Sequence, residues 1–316
     1  MALEAGEEQR EAPRSGRGRP PTPFAKVMNS IWYRLCTGCQ WKAIPESEQL
    51  CNGTTAHRWF RRLVAARVFE VVHAVLVALY VEHGVRKLRA LGIDCTLVPA
   101  PLGGAATGPN PTDRGKPGVK ISIVVDQHGW PLAIHLDKVN RHDIRLLGPT
   151  LAKLALEVLQ RLGVNPELVA DKGYDDEHAR AQAPAQGCRP CLLPQGKKYG
   201  KAPKRHRWLR AVTERTHAWL KAFRAIRVCW ARYRDSFQAH LLLAASAILM
   251  RCASASLPGA DDVAGCPQLT PLLGIPLIVM AAYARPQAPQ PVPGPRACPR
   301  RCFTPSQPRF HLAKAS

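Results

Sequence analysis

Acidic residues and long apolar runs are both scarce in this sequence of 316 residues. Only 23 Asp and Glu accompany 45 Lys and Arg, which leaves a formal net charge of +22 and a pI near 10.0. A membrane-spanning helix needs about 20 consecutive apolar residues. The longest candidate, residues 269–284, is interrupted by Pro271 and Pro276. The sequence therefore predicts no spanning helix and no membrane partner.

The sequence also lacks the features of a secreted protein. Its N-terminus begins acidic and turns rich in Gly, Pro and Arg, which is not the order of a secretory signal. Its 11 cysteines are an odd number scattered along a long chain, so a disulfide framework is not expected and a reducing compartment is favoured. We expect a cytoplasmic protein whose strong positive charge favours a polyanionic partner, most simply nucleic acid.

Changes of pattern along the chain predict four segments. Residues 1–22 have no hydrophobic periodicity and predict a flexible basic arm. Residues 23–87 contain three helical patterns with a short basic one in the middle, which favours a helix-turn-helix-like DNA-binding domain. Residues 88–253 mix strands and helices and form the predicted catalytic domain. Residues 254–316 hold 12 of the 29 prolines and predict a disordered tail.

The order of elements in the third segment predicts the fold class. The pattern reads β-β-β-α-β-α-β-α, with two strands forming a hairpin around Gly129. We predict an α/β, RNase H-like fold, in which an antiparallel hairpin is extended by parallel strands and helices cover both faces of the mixed sheet. The other predicted strands are 91–100, 167–174 and 188–194, the loop is 101–118, and the last long helix is 207–234.

Three acidic residues stand out by their placement. Asp94 lies within an apolar strand, where an isolated carboxylate is costly to bury, and Asp171 lies in the next strand after the hairpin and its following helix. Glu214 is the only acid among 13 Lys and Arg between residues 197 and 234. Carboxylates that converge in this way are the ligands Mg²⁺ prefers, so the three predict a metal site for phosphodiester cleavage.

A simpler interpretation exists for each acid taken alone. Acids at strand ends are commonly solvated, and Glu214 could pair with Arg210 one turn earlier on the helix. Asp143, which precedes a helix, is most simply its N-cap. Five apolar residues of the last helix are expected to form its buried stripe. They are Val212, Trp219, Phe223, Ile226 and Trp230.

Several blocks of sequence resemble bacterial insertion-sequence transposases of the DDE type. The blocks are TGPNPTDRGKPGVK, VVDQHGWPLAIHL, NRHD, VADKGYD and RWLRAVTERTHAWLKAFR, all in the order found in that family. The resemblance covers residues 17–253. It implies an RNase H-like catalytic domain, an endonuclease and strand-transfer activity on DNA, and a homodimer that pairs two element ends at the nucleoid.

The resemblance also implies roles for particular residues. The catalytic, metal-binding carboxylates of the family fall on Asp94, Asp171 and Glu214, and they imply two Mg²⁺ (or Mn²⁺) ions. Arg210 and Lys221 match the flanking basic positions of the family's signature, while Arg207 stands where that signature has an aromatic residue. These three cations are expected to contact DNA phosphates.

A second set of phosphate contacts is expected in the loop before the hairpin. Its candidates are Arg114, Lys116 and Lys120, although a solvated basic loop explains them equally well. The interpretation of the chain as an active transposase has one alternative. The chain could be a transposase-derived DNA-binding protein that no longer cuts DNA.

Overall fold

The apolar periodicity of the N-terminal part forms three helices in the computed structural model. The described residues are 21–84, 88–154, 165–174, 176–185, 187–192 and 204–255, and all belong to one compact unit. Most of the predicted basic arm and nearly all of the predicted tail lie outside them. The domain boundaries predicted from the sequence stay predictions.

Each of the three helices has an identifiable boundary. Helix α1 (Phe24–Thr37) ends at Gly38, whose left-handed φ of +68° lets its N–H reach the Arg34 carbonyl. Helix α2 (Gly53–Ala65) is capped by Asn52, which accepts the Thr54 N–H, rather than by the threonines that follow. Helix α3 (Val68–Gly84) starts after Arg67, which has a φ of +53°.

The six strands form one mixed sheet, as predicted, but the shortest of them lies within residues 101–118, which the sequence predicts to be a loop. They are β1 (Ala90–Pro99), β2 (Gly108–Pro109), β3 (Pro117–Asp126), β4 (Pro131–Lys138), β5 (Glu167–Ala170) and β6 (Arg189–Leu192). The order is β2-β3-β1-β5-β6, and β4 pairs with β3 over Val119–Val125. β1, β3 and β4 are antiparallel, whereas β5 and β6 run parallel to β1. This topology confirms the RNase H-like fold.

Helices cover both faces of this sheet. Helix α4 (Ile144–Leu151) contacts one face, where the Thr150 hydroxyl donates to Ser122 of β3 (2.8 Å). Helix α6 (Lys204–Ala222) crosses the opposite face above Gly92 of β1. The remaining helices are α5 (Glu177–Ala185), α7 (Arg224–Arg227) and α8 (Arg234–Ala255). Part of the helix predicted to follow Asp143 and the end of the strand predicted at 188–194 lie outside the described residues.

The predicted helix over 207–234 is wrong beyond Ala222. Phe223 has an extended backbone (φ −72°, ψ 111°), α7 makes one further turn, and residues 228–233 form a bend. After this change of direction, Ala225, Ile226 and Cys229 are buried in the core. The strand predicted at 167–174 is also shorter, because residues 172–174 form a 3₁₀ turn.

One hydrophobic core joins α1–α3, the sheet and α8. Helix α3 packs along α8, and the buried Arg34 guanidinium bonds to the His240 ring (2.8 Å). In the described part of the chain, no single helix is long and apolar enough to cross a membrane. Only α2 with the first part of α3 passes that test, as a pair bent by 64°.

Candidate active site

Asp94 and Asp171 follow paired residues on two adjacent parallel strands. β5 pairs with only the first four residues of β1, and the last pair joins Ile93 to Ala170. The next residue on each strand is the aspartate. Because the carboxyl ends of parallel strands meet at one edge of a sheet, this register brings together two acids 77 residues apart in the chain.

The carboxyl group of Asp94 lies in a largely buried environment. Burial raises its pKa to about 6, and the negative charges of Asp143 and Asp171 act in the same direction. The Cys95 N–H, which donates to Asp94 Oδ1 (2.8 Å), and the Arg210 charge oppose this rise. A cation bound here would therefore stabilise the ionised form of the Asp94 carboxyl group and lower its pKa.

Helix α6 reaches β1 closely because Gly92 has no side chain. A Cβ at this position would lie 2.6 Å from Thr213 Oγ1. Thr213, the residue before Glu214, therefore packs on β1 at Gly92, two residues before Asp94. Glycine at residue 92 is thus part of the site's geometry.

Arg210 joins two of the three predicted acids. Its Nη1 lies 3.3 Å from Asp171 Oδ1, and its Nη2 lies 3.8 Å from Glu214 Oε1. All three side chains are open to solvent, with Glu214 62% exposed. The i, i+4 pair expected between Arg210 and Glu214 is present, and the same guanidinium also reaches the strand end.

Two further residues continue this face of α6. The Lys221 ammonium donates to Thr96 Oγ1 (2.6 Å) and to the Leu97 carbonyl (3.4 Å), and burial lowers its pKa. His217 is buried, and its imidazole lies close to the Asp94 backbone. Burial lowers its pKa to about 4, and the Lys221 charge adds to this. A neutral imidazole therefore lies beneath the site.

A partly buried ion pair lies on the opposite face of the sheet. The Lys120 ammonium donates to Asp143 Oδ1 (2.5 Å) and to the Arg141 carbonyl (2.6 Å). Lys120 belongs to β3 and is buried, so it does not lie in the loop where its phosphate contact was expected. Asp143 occupies the N-cap position of α4, as predicted, but its side chain makes no capping bond with the described backbone.

The β3–β4 turn holds α6 in place. Arg215 Nη2 donates to the His128 carbonyl (2.8 Å), and the Thr216 hydroxyl donates to the Gly129 carbonyl (2.7 Å). Gly129 has a φ of +92°, and a Cβ there would lie 2.9 Å from Thr216 Oγ1. The two residues that follow Glu214 are therefore both fixed to this turn.

Asp126 fixes the turn itself. Its Oδ1 accepts the N–H groups of His128 (2.9 Å) and Trp130 (2.8 Å), and its Oδ2 accepts the hydroxyl of Tyr80 from α3. The carboxylate is fully buried, and burial raises its pKa while these hydrogen bonds lower it. One carboxylate thus connects α3 to the turn on which α6 rests.

The remaining predicted cations lie at the surface. Arg207 is exposed on α6, one turn before Arg210. Arg114 has a φ of +50° in a tight exposed loop, and Lys116 pairs with Asp113 there (3.4 Å). Because β3 runs antiparallel to β1, this loop lies at the carboxyl end of β1.

The described residues contain no group of three or more His, Cys, Asp or Glu with the geometry of a metal site. Asp94 and Asp171 are neighbours, but Glu214 meets Asp171 through the Arg210 guanidinium. Three carboxylates are chemically suited to Mg²⁺, and here a cationic side chain stands between two of them.

Comparison with protein families identifies the kind of protein that carries this site. The model "Transposase DDE domain" matches residues 86–250, just over half of the chain. This chain belongs to the DDE transposase family. A second model, "Putative transposase of IS4/5 family", matches residues 7–73 and therefore covers α1 and α2 of the transposase. Both matches confirm the resemblance seen in the sequence.

Individual relatives cover parts of the transposase. A protein of Burkholderia cepacia, "Putative transposase for insertion sequence element IS402", is 38% identical over 142 residues. The aligned part covers 43% of this chain and 65% of that protein's length. The solved catalytic domain of Mos1 mariner transposase matches 58% of this chain and 91% of its own, at 12% identity and a TM-score of 0.26. The match to a Mos1 transposase paired-end complex with the left transposon end covers 66% of this chain and 81% of the Mos1 chain, at 12% identity and a TM-score of 0.24.

One residue and one ion pair near the predicted acids could not be recognised as such from the sequence. His217 continues the series Arg210, Glu214 and Lys221 at helical spacing, so one face of a helical wheel contains all four. The Lys120–Asp143 pair joins two blocks 23 residues apart, and no local spacing reveals it.

Proposed function

We propose that this transposase cleaves phosphodiester bonds at the ends of an insertion element and transfers the freed 3′-hydroxyl to target DNA. Asp94, Asp171 and Glu214 are the proposed catalytic, metal-binding carboxylates. The observation that supports this most is the pairing of Ile93 with Ala170, which sets two aspartates side by side under the helix of Glu214. The family membership of the chain supports the class of reaction.

The donor set fits Mg²⁺ or Mn²⁺, since all three proposed ligands are carboxylates. Two such ions, when bound, activate the attacking oxygen and stabilise the leaving oxygen of an in-line displacement. Asp94 would hold the metal in the most buried position of the three carboxylates. Glu214 would be available as a ligand once Arg210 binds a phosphate oxygen in place of its two carboxylate partners.

The basic side chains of α6 orient the scissile phosphate. A guanidinium can bind two phosphate oxygens at once, so Arg210 is the proposed contact next to the reacting bond. Lys221, which lies further along β1, is the proposed contact to a more distant phosphate of the same DNA strand. Arg207 is the proposed contact to a phosphate one helical turn away on the other side of Arg210. Arg114 and Lys116 extend these contacts along the carboxyl end of β1, whereas the Lys120 ammonium is bonded to Arg141 and Asp143 between β4 and α4.

Helix α2 is the proposed contact to the element end. Its exposed face carries Arg58, Arg61 and Arg62, and the Arg62 guanidinium lies over the Trp59 ring (5.4 Å). A basic helix face of this kind fits a DNA groove. Pairing of two element ends calls for two protein copies, so we expect a homodimer that acts in the cytoplasm at the nucleoid.

Cleavage of the DNA that flanks the gene of this protein tests the proposal. With Mg²⁺, the protein is expected to nick this DNA at defined positions, and Asp94→Asn is expected to reduce the rate at least about 100-fold. Asp137→Asn is the matched control, because Asp137 lies on β4 and pairs only at the surface with Arg141 (3.3 Å).

Equal nicking by Asp94→Asn and the parent protein would overturn the assignment of the carboxylates. If neither protein nicks DNA but both bind it with salt-sensitive affinity, the inactive DNA-binding alternative replaces the proposal. The binding measurement is made in EDTA, so that it does not depend on catalysis.

A further inference from the structure

We propose that unpaired DNA bases stack on Trp230 and Tyr233 in the bend between α7 and α8. We call residues 228–233 the aromatic bend. The inference rests on the proposed function only in taking DNA as the partner. It adds a binding surface beside the site formed by the three carboxylates.

The aromatic rings of this bend are unusually open to solvent. Trp230 is 50% exposed and Tyr233 is 70% exposed, although the sequence predicts Trp230 in a buried helical stripe. Leu102, also 50% exposed, lies in the loop that packs against the bend. Three of the five large hydrophobic side chains that are exposed in the described residues therefore belong to this one region.

The positive charge around the aromatic bend favours a nucleic-acid partner. Residues 215–234 contain six Lys or Arg and no Asp or Glu. Arg224, Arg227 and Arg232 are exposed, and the Arg227 Nε donates to the Lys221 carbonyl (2.8 Å). Exposed aromatic rings among arginines bind single-stranded nucleic acid, since bases stack on the rings while the guanidinium groups meet phosphates.

The bend is held firmly at the carboxyl end of β1. The Cys229 N–H donates to the Pro99 carbonyl (2.8 Å), and the Ala105 N–H donates to the Arg232 carbonyl (3.4 Å). A Cβ on Gly104 would lie 2.6 Å from the Arg232 carbonyl oxygen, so only glycine permits this close packing. A surface fixed in this way loses little entropy when a base stacks on it.

The position of the bend relates it to the proposed chemistry. Pro99 is five residues beyond Asp94 on β1, about 17 Å along the strand. The Lys221 ammonium contacts Thr96 between them. A DNA strand that leaves the scissile phosphate along this edge meets the basic side chain first and the aromatic bend next. Paired bases are already stacked in a duplex, so the rings are expected to take unpaired ones.

Binding of labelled oligonucleotides in EDTA tests the proposal on the full chain. The probes are a fluorescein-labelled oligothymidylate and a duplex of the same length. Trp230→Ala and Tyr233→Ala are each expected to weaken single-strand affinity on the order of tenfold. Duplex affinity is expected to change by less than about twofold, because phosphate contacts dominate it.

Ring-preserving variants are the matched controls. Trp230→Phe and Tyr233→Phe keep a stacking surface and are expected to retain most of the single-strand affinity. A strand that contains 2-aminopurine gives a second readout, since its fluorescence falls when the base stacks. This quenching is expected with the parent and Phe variants and is expected to disappear with the Ala variants.

Unchanged single-strand affinity in the Ala variants overturns the proposal. An equal loss for both probes also overturns it, because it indicates a general loss of folding or charge. Altered self-association with unchanged DNA binding identifies the bend as a contact between copies instead. Since the assay contains no metal ion, a protein that binds strands through the bend but never cleaves DNA disproves only the proposed function.

Discussion

The strand-borne and helix-borne parts of the candidate site are held in different ways. Asp94 and Asp171 are placed by the backbone ladder of β1 and β5, and Asp94 is largely buried. Glu214 is exposed, pairs with Arg210 and reaches its place through side-chain contacts of α6 with the β3–β4 turn. The sheet therefore supplies a fixed half of the candidate site, with Asp94 and Asp171. Helix α6 supplies the other half, in which the charged side chains can exchange partners.

Replacement of Arg210 is expected to affect activity most. Arg210→Gln removes the cation shared by Asp171 and Glu214, and we expect DNA cleavage to fall about 100-fold. The free energy of unfolding is expected to change by less than about 1 kcal/mol, because both pairs are solvent-exposed. Arg189→Gln, which removes an exposed pair with Glu167, is the control for both measurements. A large loss of stability with Arg210→Gln would show that the helix-borne half is as rigid as the sheet.

Acid is expected to weaken the contact between α3 and the turn. His73 on α3 bonds to the Pro131 carbonyl (3.1 Å), and burial lowers its pKa to about 4. An unfolded chain has a His pKa near 6.5, so it binds more protons between these values, and stability falls as the pH drops from about 6.5 to 4. The loss from this residue is about 3 kcal/mol at pH 4.

Urea unfolding at a series of pH values measures this effect. His73→Gln keeps a donor for the Pro131 carbonyl but does not titrate, so its stability is expected to depend less steeply on pH. Burial also lowers the pKa of His135 and His217 to about 4 and that of His240 to about 3, so these residues contribute to the remaining slope in both proteins. If the stability of the parent and of His73→Gln depends equally on pH, His73 does not cause the loss of stability in acid.

A side chain in the turn is expected to displace α6. Gly129→Ala combines a positive φ with a contact of 2.9 Å to Thr216 Oγ1, so we expect about 2 kcal/mol of destabilisation and slower cleavage. Gly103→Ala is the matched control. Gly103 also has a positive φ (+62°), but no described atom lies within 4 Å of its added Cβ. Equal effects of the two variants would mean that backbone strain, rather than the contact with α6, is the cause.

The smallest expected effect concerns the support beneath β1. Lys120→Met removes the buried cation from its pair with Asp143, whose carboxylate can still reach solvent, so we expect about 1–2 kcal/mol of destabilisation in urea. Lys116→Met removes an exposed pair with Asp113 and is expected to change stability by less than about 0.5 kcal/mol. If the two variants are equally stable, the fixed half does not depend on this pair.

The sheet could be predicted from the sequence because its signals are local. Alternating apolar residues and the turn at Gly129 define β3 and β4, and the order of elements gives the topology. The end of α6 could not be predicted, since no glycine or proline marks Phe223. The chain turns there because Ala225 and Ile226 fill the core, which depends on the distant helices α1 and α8.

The same distinction holds for the candidate site. Acids at strand ends could be predicted, because strand order alone brings Asp94 and Asp171 together. The partners of Lys120 could not, because an ion pair between β3 and the start of α4 depends on tertiary packing. The exposure of Trp230 was missed for the same reason, since it follows from the bend that replaces the expected helix.

The buried carboxylate of Asp126 has a mechanical consequence. It ties Tyr80 of α3 to the turn, and the turn grips Arg215 and Thr216 beside Glu214. If a DNA end binds the N-terminal helices as proposed, a displacement of α3 acts through Tyr80 and the turn on the two residues that follow Glu214. The position of the glutamate is then coupled to the way the element end is bound.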